Sequence, residues 1–282
     1  MKNEDLLSII IITWNSEAYI EECINSVIED AENTKIPYEI IVVDNGSVDR
    51  TQQILEELAS KHRFINCVKL DRNTGTTFSR NLAIKKSKGD YLFFLDSDEV
   101  VLPGAIKTLL ETLKANKNIG IAAPRVVLKD CSIQFSVRKF PTAFTKFFKN
   151  VPIERLRDLA EASELYSPSV YSYGFKELME VDVAAACGWM VPRVAINNIG
   201  LLDERIFYSP EDVDYCVRMW LNGWKVVYVP FAEVIHYSQK LTYKSFKFLV
   251  LHTFGLFYYF SKYKYFFKRD KLYHQIGKYN SI

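Results

Sequence analysis

The chain predicts an α/β fold with a mainly parallel central sheet flanked by helices, and three observations carry that prediction. β-Branched or aromatic runs alternate with helical stretches four times in the first half of the sequence. The fourth run, Tyr91–Leu95, is apolar or aromatic without a break, as in a strand covered on both faces. Several of the runs end in polar loops: Thr13-Trp14-Asn15, Asp44-Asn45-Gly46, Asp71–Gly75 and Asp96–Asp98. Strand–helix alternation implies right-handed crossovers between parallel strands, so these loops share one rim, where open α/β sheets bind ligands.

Leu7–Thr13 reads as the first strand. Ser16 is placed to cap a helix from Glu17 to about Glu29, with Tyr19, Ile20, Cys23, Ile24, Val27 and Ile28 on one face. Tyr38–Val43 is the second strand, and Asp49 or Ser47 caps a helix over Arg50–Ser60 whose inner stripe is Ile54, Leu55 and Leu58. Ile65–Leu70 is the third strand, and a helix follows from about Thr77 to Lys86. Tyr91–Leu95 is the fourth strand, five apolar or aromatic residues that stop at Asp96-Ser97-Asp98. If the chain stays extended there, Asp96 and Asp98 face one point. Two hard oxygen ligands suit Mg²⁺ or Mn²⁺, which often accompany a phosphate, whereas an acid-rich surface turn is the plainer alternative.

Pro103 starts a helix over Ala105–Ala115, and Ile119–Ala123 is a further strand. Residues 129–180 are less regular and read either as an insertion shaping a second substrate's pocket or as cover for the sheet edge. Val181–Ala186 resembles a strand. Cys187-Gly188 makes a small-residue turn, ahead of Trp189, where backbone approaches a ligand closely. A helix beginning near Glu211 ends at Gly223, with Val213, Cys216, Val217 and Trp220 as its stripe. Trp224–Val229 is the last strand, and His236 comes shortly after it.

Composition narrows the class. The 282 residues are 49% hydrophobic, 25% charged and 14% aromatic, as expected of a globular domain with an unusually aromatic segment. That segment is 240–282, where nine Lys/Arg face only Asp270, so a tail of +8 is hidden inside an overall charge of +2. A basic, aromatic tail of this kind suits a helix lying on an anionic membrane surface. The alternative is a helical hairpin packed on the domain or on a second subunit of a homodimer. No nucleic-acid partner is expected, because no RNA-binding motif accompanies the tail. The five cysteines are scattered without a Cys-x-x-Cys pair, which argues against a disulfide framework or zinc site and fits a reducing compartment. Glu4 and Asp5 before the first apolar run argue against a signal peptide, and the longest later run is too short to span a bilayer.

Five motifs in order resemble glycosyltransferase family 2, whose members are inverting enzymes of the GT-A (nucleotide-diphospho-sugar transferase) fold. They are Ile10–Asn15, Val43–Thr51, Asn73-Thr74-Gly75 with Ser79-Arg80-Asn81, Gly89–Asp98, and Glu211-Asp212-Val213-Asp214. The stretch from Gly200 to Tyr208, with Pro230 and His236, resembles the bacterial rhamnosyltransferase-like branch. One departure is Tyr208-Ser209-Pro210, where that branch often has a glycine before the acid pair.

The resemblance implies a GT-A domain over residues 1–239 and a helical extension over 240–282. It implies a nucleoside diphosphate sugar as donor, dTDP-L-rhamnose above a UDP-hexose, and a lipid-linked glycan or polysaccharide acceptor. It places Asp44 on the base, with Thr13, Trp14, Asn15, Asn73, Gly75 and Arg80 around the donor; Gly188 and Trp189 join that substrate-binding set. Asp96 contacts ribose or metal, Asp98 and His236 the Mg²⁺ or Mn²⁺ ion. Asp212 is the base and Glu211 orients the acceptor. The expected location is cytoplasmic, peripheral at the inner face of the cell membrane. A nucleotidyltransferase is disfavoured because Thr13-Trp14-Asn15 is not a glycine-rich phosphate loop; a non-catalytic sugar-nucleotide-binding module is the remaining alternative.

Overall fold

The structure, a computed structural model, describes residues 5–148, 152–237 and 246–278. Its first half follows the predicted alternation: β1 (Leu7–Thr13), α1 (Ile20–Glu32), β2 (Tyr38–Asp44), α2 (Thr51–Lys61), β3 (Ile65–Lys69), α3 (Thr76–Lys86) and β4 (Tyr91–Asp96). There follow β5 (Glu99–Val101), α4 (Ala105–Ala115), β6 (Ile119–Leu128), β7 (Val137–Arg138), α5 (Ala143–Phe148) and α6 (Glu154–Glu164). The remainder is β8 (Met179–Glu180), β9 (Val183–Ala184), β10 (Trp189–Pro192), α7 (Arg193–Ile199), α8 (Glu211–Leu221), β11 (Lys225–His236), α9 (Phe246–Tyr263) and α10 (Asp270–Gln275).

The main sheet runs β3-β2-β1-β4-β10-β6-β11-β5, with β8 also paired to β11. β3, β2, β1 and β4 are mutually parallel, and β6 and β11 are parallel to each other. β10 runs against both β4 and β6. The sheet is therefore mainly parallel, with β10 reversed in its interior and β5 and β8 antiparallel to β11. That reversal matters for the site, because β10 begins at the rim where its neighbours end.

Each face of the sheet carries its own apolar layer. One layer joins Leu7, Ile9, Ile11, Phe93 and Leu95 to the inner stripes of α1, α2 and α4. The other joins Ile10, Phe94, Trp189 and Val191 to α3, α7 and α8, and it includes Tyr259, Phe260, Tyr263, Tyr265 and Leu272 from the C-terminal segment. The segment after residue 240 thus closes a core layer. Lys262 faces inward, 2.9 Å from Asp203 and 2.6 Å from Asp214. Of the tail residues expected at a membrane, Tyr243 and Lys244 lie outside the described residues. No described helix is long and apolar enough to cross a membrane.

Several boundaries differ from the prediction for physical reasons. α1 starts at Ile20, leaving Tyr19 outside it, because the Ser16 carbonyl accepts the amides of Tyr19 and Ile20 while its hydroxyl meets Ser97 Oγ at 2.7 Å. Asp49 does accept the Thr51 amide at 3.1 Å, but Ser47 Oγ donates to Asp44. β6 and β11 are longer than predicted, since they continue pairing beyond an irregularity at Pro230 that restarts the register at Glu233. His236 is consequently the last residue of β11, not a loop residue. The 181–186 stretch shrinks to β9, paired with β7 in a small separate sheet. Ser97 and Asp98 form a turn between β4 and β5, so the chain is not extended through the acid pair as expected.

Phe93 is fully buried at the centre of β4 and packs in the layer under α1 and α4. Phe93→Ala is expected to cost about 3–5 kcal/mol of stability, read as a lower urea midpoint.

Candidate functional site

The rim is built first by β1 and β2. Thr13 and Asp44 are opposite each other in the parallel register at the two strand ends. Asp44 Oδ1 accepts the Ser47 amide at 3.1 Å and its hydroxyl at 2.5 Å; among the described residues its buried Oδ2 has no hydrogen-bond partner, and neither has the buried Thr13 Oγ1. Two orphaned polar atoms side by side make a seat for a donor–acceptor edge such as a nucleobase presents. Asn15, at φ 50°, spends its side chain on the Val48 amide at 2.9 Å and so shapes the wall of that seat. Trp14 is half-buried beside it.

Asn45, which the sequence reading did not single out, ties the next loop down. Its Oδ1 accepts the Thr74 amide at 2.8 Å and its Nδ2 reaches Asn73 Oδ1 at 3.2 Å. Asn73 Oδ1 also accepts the Gly75 amide at 3.0 Å. Gly75 is required: at φ +89° an added Cβ would stand 2.4 Å from the Phe207 carbonyl oxygen.

Arg80, expected on the substrate, is instead a buried bridge, its side chain only 3% exposed. One guanidinium nitrogen lies 2.8 Å from Asp96 Oδ1 and another 2.9 Å from Glu211 Oε1. Burial alone would lower its pKa, but the two carboxylates more than reverse this and hold it charged. Glu211 Oε1 also accepts from Thr76 Oγ1 at 3.2 Å, so Glu211, expected to orient an acceptor, is held within the protein. Burial raises the pKa of Asp96, with Arg80 pulling the other way.

Asp98 and His236 come together as the resemblance implies: Nε2 is 3.6 Å from Asp98 Oδ2. His236 Nδ1 lies 2.8 Å from Gln134 Oε1, an acceptor, so Nδ1 carries the proton and Nε2 keeps its lone pair toward Asp98. A carboxylate and a correctly tautomerised imidazole at a strand-end rim fit a divalent cation. Asp96, engaged by Arg80, is a half-buried neighbour of that pair. Glu99, which the sequence reading did not single out, and Cys187 of the small-residue turn stand close to His236. No spacing rule joins them in the sequence.

A cavity of ≈ 760 Å³ opens beside α8. Asp212 lines it with Lys146 and Phe147 of the 129–180 segment and with His252 and Phe257 of α9. This segment therefore does wall a pocket. Burial, then the adjacent Glu211 charge, pushes the Asp212 pKa up to about 6, against the opposing pull of Arg80 and Lys146. A carboxylate poised near neutrality is equipped to accept a proton. α9 approaches the loop before Asp212 so closely that a Cβ on Gly255 would sit 2.4 Å from the Ser209 carbonyl oxygen.

Gly188 and Trp189, expected in the substrate-binding set, are packed within the protein. An added Cβ at Gly188 would meet Pro124 and Val234 side chains at 2.7 and 2.9 Å, so the glycine serves internal packing. Trp189 is buried and stacks on Tyr215.

The family model described as Glycosyl transferase family 2 matches residues 8–178. An N-acetylglucosaminyl-diphospho-decaprenol L-rhamnosyltransferase of Mycobacterium tuberculosis is 27% identical over 259 residues, covering 84% of this chain and 78% of that protein. The poly(ribitol-phosphate) beta-N-acetylglucosaminyltransferase TarS of Staphylococcus aureus is 36% identical over 232 residues, covering 75% of this chain and 39% of TarS. The chain also spans only about half the length of another curated relative. In fold it is similar to GalNAc-T7, crystallised with UDP, GalNAc and Mn²⁺, at TM-score 0.63 and 17% identity, covering 84% of this chain and 44% of that one. The architecture is thus GT-A.

Arg80→Met leaves Asp96 and Glu211 facing each other without their shared cation. It is expected to cost about 3 kcal/mol, less than a fully buried pair because Asp96 is a third exposed, and to appear as a lower thermal midpoint. An unchanged midpoint would show that the bridge does not hold α3, β4 and α8 together.

Proposed function

The chain belongs to glycosyl transferase family 2, and from that premise we propose that it transfers a sugar, with inversion, from a nucleoside diphosphate donor to a hydroxyl of a lipid-linked or cell-surface polysaccharide acceptor. The observation that carries this reading is Asp212: a carboxylate with its pKa near 6, on the wall of a large cavity, one residue from the Glu211–Arg80–Asp96 chain that leads to the donor rim. Asp212 takes the hydroxyl proton as the acceptor oxygen attacks the anomeric carbon, and the bond from that carbon to the diphosphate oxygen breaks. One displacement needs one base and no covalent intermediate. Thr13 and Asp44 receive the base edge. Asp98 and His236 would hold a divalent cation, Mg²⁺ or Mn²⁺, and the positive charge so placed would offset that of the departing diphosphate.

The rhamnosyltransferase relative favours dTDP-L-rhamnose as donor, and TarS keeps a UDP-hexose in view. The acceptor cavity supports an anionic, lipid-linked acceptor. Arg138, Lys139 and Lys146 outnumber the carboxylates Glu164 and Asp212 in its lining, beside an aromatic wall of Phe147, Phe257 and Phe266, and Lys146 lies 2.8 Å from Glu164. α9 buries Tyr259, Phe260 and Tyr263 but leaves Phe254 and Phe257 69% and 68% exposed. One face of the tail is core, and the other is an apolar surface that we assign to the membrane interface at the inner leaflet.

Asp212→Asn is expected to lower transfer by roughly 10²–10⁴-fold. Calorimetric titration with dTDP-L-rhamnose and UDP-N-acetylglucosamine should find donor binding unchanged. In the wild type, kcat/KM should climb with pH through about 6 as Asp212 loses its proton, with Glu211, Arg80 and Lys146 the charges that set the midpoint. Since the folded state raises this pKa, the wild type is destabilised above it. Asp212→Asn should therefore melt higher than wild type at pH 8, and the gap should close near pH 4. Normal transfer by the variant would remove Asp212 from the chemistry.

Truncating the tail would open the core, so the membrane surface is better tested by Phe254→Ser with Phe257→Ser. The double variant should co-sediment less with vesicles containing anionic lipid while melting as the wild type does. Undiminished sedimentation would refute the assignment.

A further inference from the structure

Glu99, Cys187 and His236 come from three distant parts of the chain and meet at the rim. Glu99 opens β5 and pairs with His236 at the end of β11. Cys187 lies on the turn that leads into β10, at the rim because β10 is reversed. A carboxylate oxygen, the Cys187 sulfur and a ring nitrogen of His236 all lie within 4.8 Å of one another. Glu99 is 0% exposed, and neither of its oxygens receives an N–H or O–H hydrogen bond from the described residues. A buried carboxylate so placed lacks the counter-charge that burial demands. Arg80, the buried cation nearby, is committed to Asp96 and Glu211. The Cys187 thiol is a weak donor at best. His236 adds a lone pair, because Gln134 fixes its proton on Nδ1.

We propose that Glu99, Cys187 and His236 form a mixed oxygen, sulfur and nitrogen seat that draws a thiophilic divalent ion, Zn²⁺ or Co²⁺, in preference to Mg²⁺. The proposal rests on the reading of His236 as a metal-facing residue and extends it inward. Sulfur has little to offer a hard ion such as Mg²⁺, and it strengthens the hold on Zn²⁺ and Co²⁺. Ligands of a tetrahedral zinc stand about 3.3–3.8 Å apart, given metal–ligand distances of about 2.0–2.3 Å. The three donors therefore have to close by roughly an ångström. Cys187 releases its proton to solvent as its sulfur binds. His236 also faces Asp98 at 3.6 Å, so the seat and the rim acid share one imidazole. One ion at a time occupies it, and the donor set decides which.

The test is a titration of the metal-free protein with Co²⁺. A sulfur-to-cobalt charge-transfer band in the near ultraviolet is expected in the wild type, bleached by Zn²⁺ and untouched by excess Mg²⁺. Cys187→Ser and, independently, His236→Asn should lose the band, and Glu99→Gln should weaken Zn²⁺ binding roughly tenfold in competition with a chromophoric chelator. No band in the wild type, or a band that survives Cys187→Ser, overturns the proposal; in the second case the exposed Cys67 or Cys131 supplies the sulfur. Asp98→Asn separates this from the donor reading. It should keep the cobalt band while abolishing Mn²⁺-dependent binding of the nucleotide sugar. If donor binding survives Asp98→Asn, the rim reading fails, and the band alone still decides the seat.

Discussion

A single guanidinium holds the two halves of this site in register. Arg80 projects from α3 and meets Asp96 at the end of β4 and Glu211 at the start of α8. Its planar fork is what allows one cation to serve two carboxylates from different elements; a lysine ammonium lacks that geometry. Around it, Thr76 and Thr77 take the carbonyls of Phe207 and Ile206, which draws the loop preceding α8 onto the same helix. The positions of the nucleotide rim and of Asp212 are then consequences of one buried charge balance. Buried ion pairs often contribute little net stability, but they are intolerant of losing a member.

The reversed strand β10 is the second constraint. In a fully parallel sheet every strand would bring only its C-terminal end to the rim, and the residues there would be those that follow strands. β10 instead brings the residues that precede it, Cys187 and Gly188. The left-handed backbone at Gly188 and the pressure of Pro124 and Val234 on it show how tightly that turn is packed. Trp189, the first residue of β10, is buried with its indole N–H unpartnered among the described residues.

Much of the first half was legible in the sequence because it is governed by local rules. β-Branched runs marked β1 and β2 and an unbroken apolar run marked β4, and the α4 boundaries Ala105–Ala115 match a helix read as starting from Pro103. Motif order singled out Asp98, His236 and Asp212; the fold sets Asp98 beside His236 and puts Asp212 on the wall of a cavity. What escaped was set by tertiary pairing. Nothing local says that β11 runs on to His236, that β10 is antiparallel, or that Glu99 lies opposite His236. Arg80 and Glu211 read as binding residues because charge in a motif looks the same whether it meets a ligand or another side chain. The tail's composition suggested a surface, yet periodicity alone does not separate a face that meets lipid from one that meets core, and α9 has both.

The lateness of α9 in the chain has a consequence for biosynthesis. Tyr259, Tyr263 and Leu272 complete the layer that shields Trp220, Tyr215 and Phe140. A nascent chain that has emerged only through β11 has its sheet but not this cover, so an apolar face waits in water until α9 and α10 have left the ribosome. Chaperone capture, or early contact with the bilayer, would protect that half-built state.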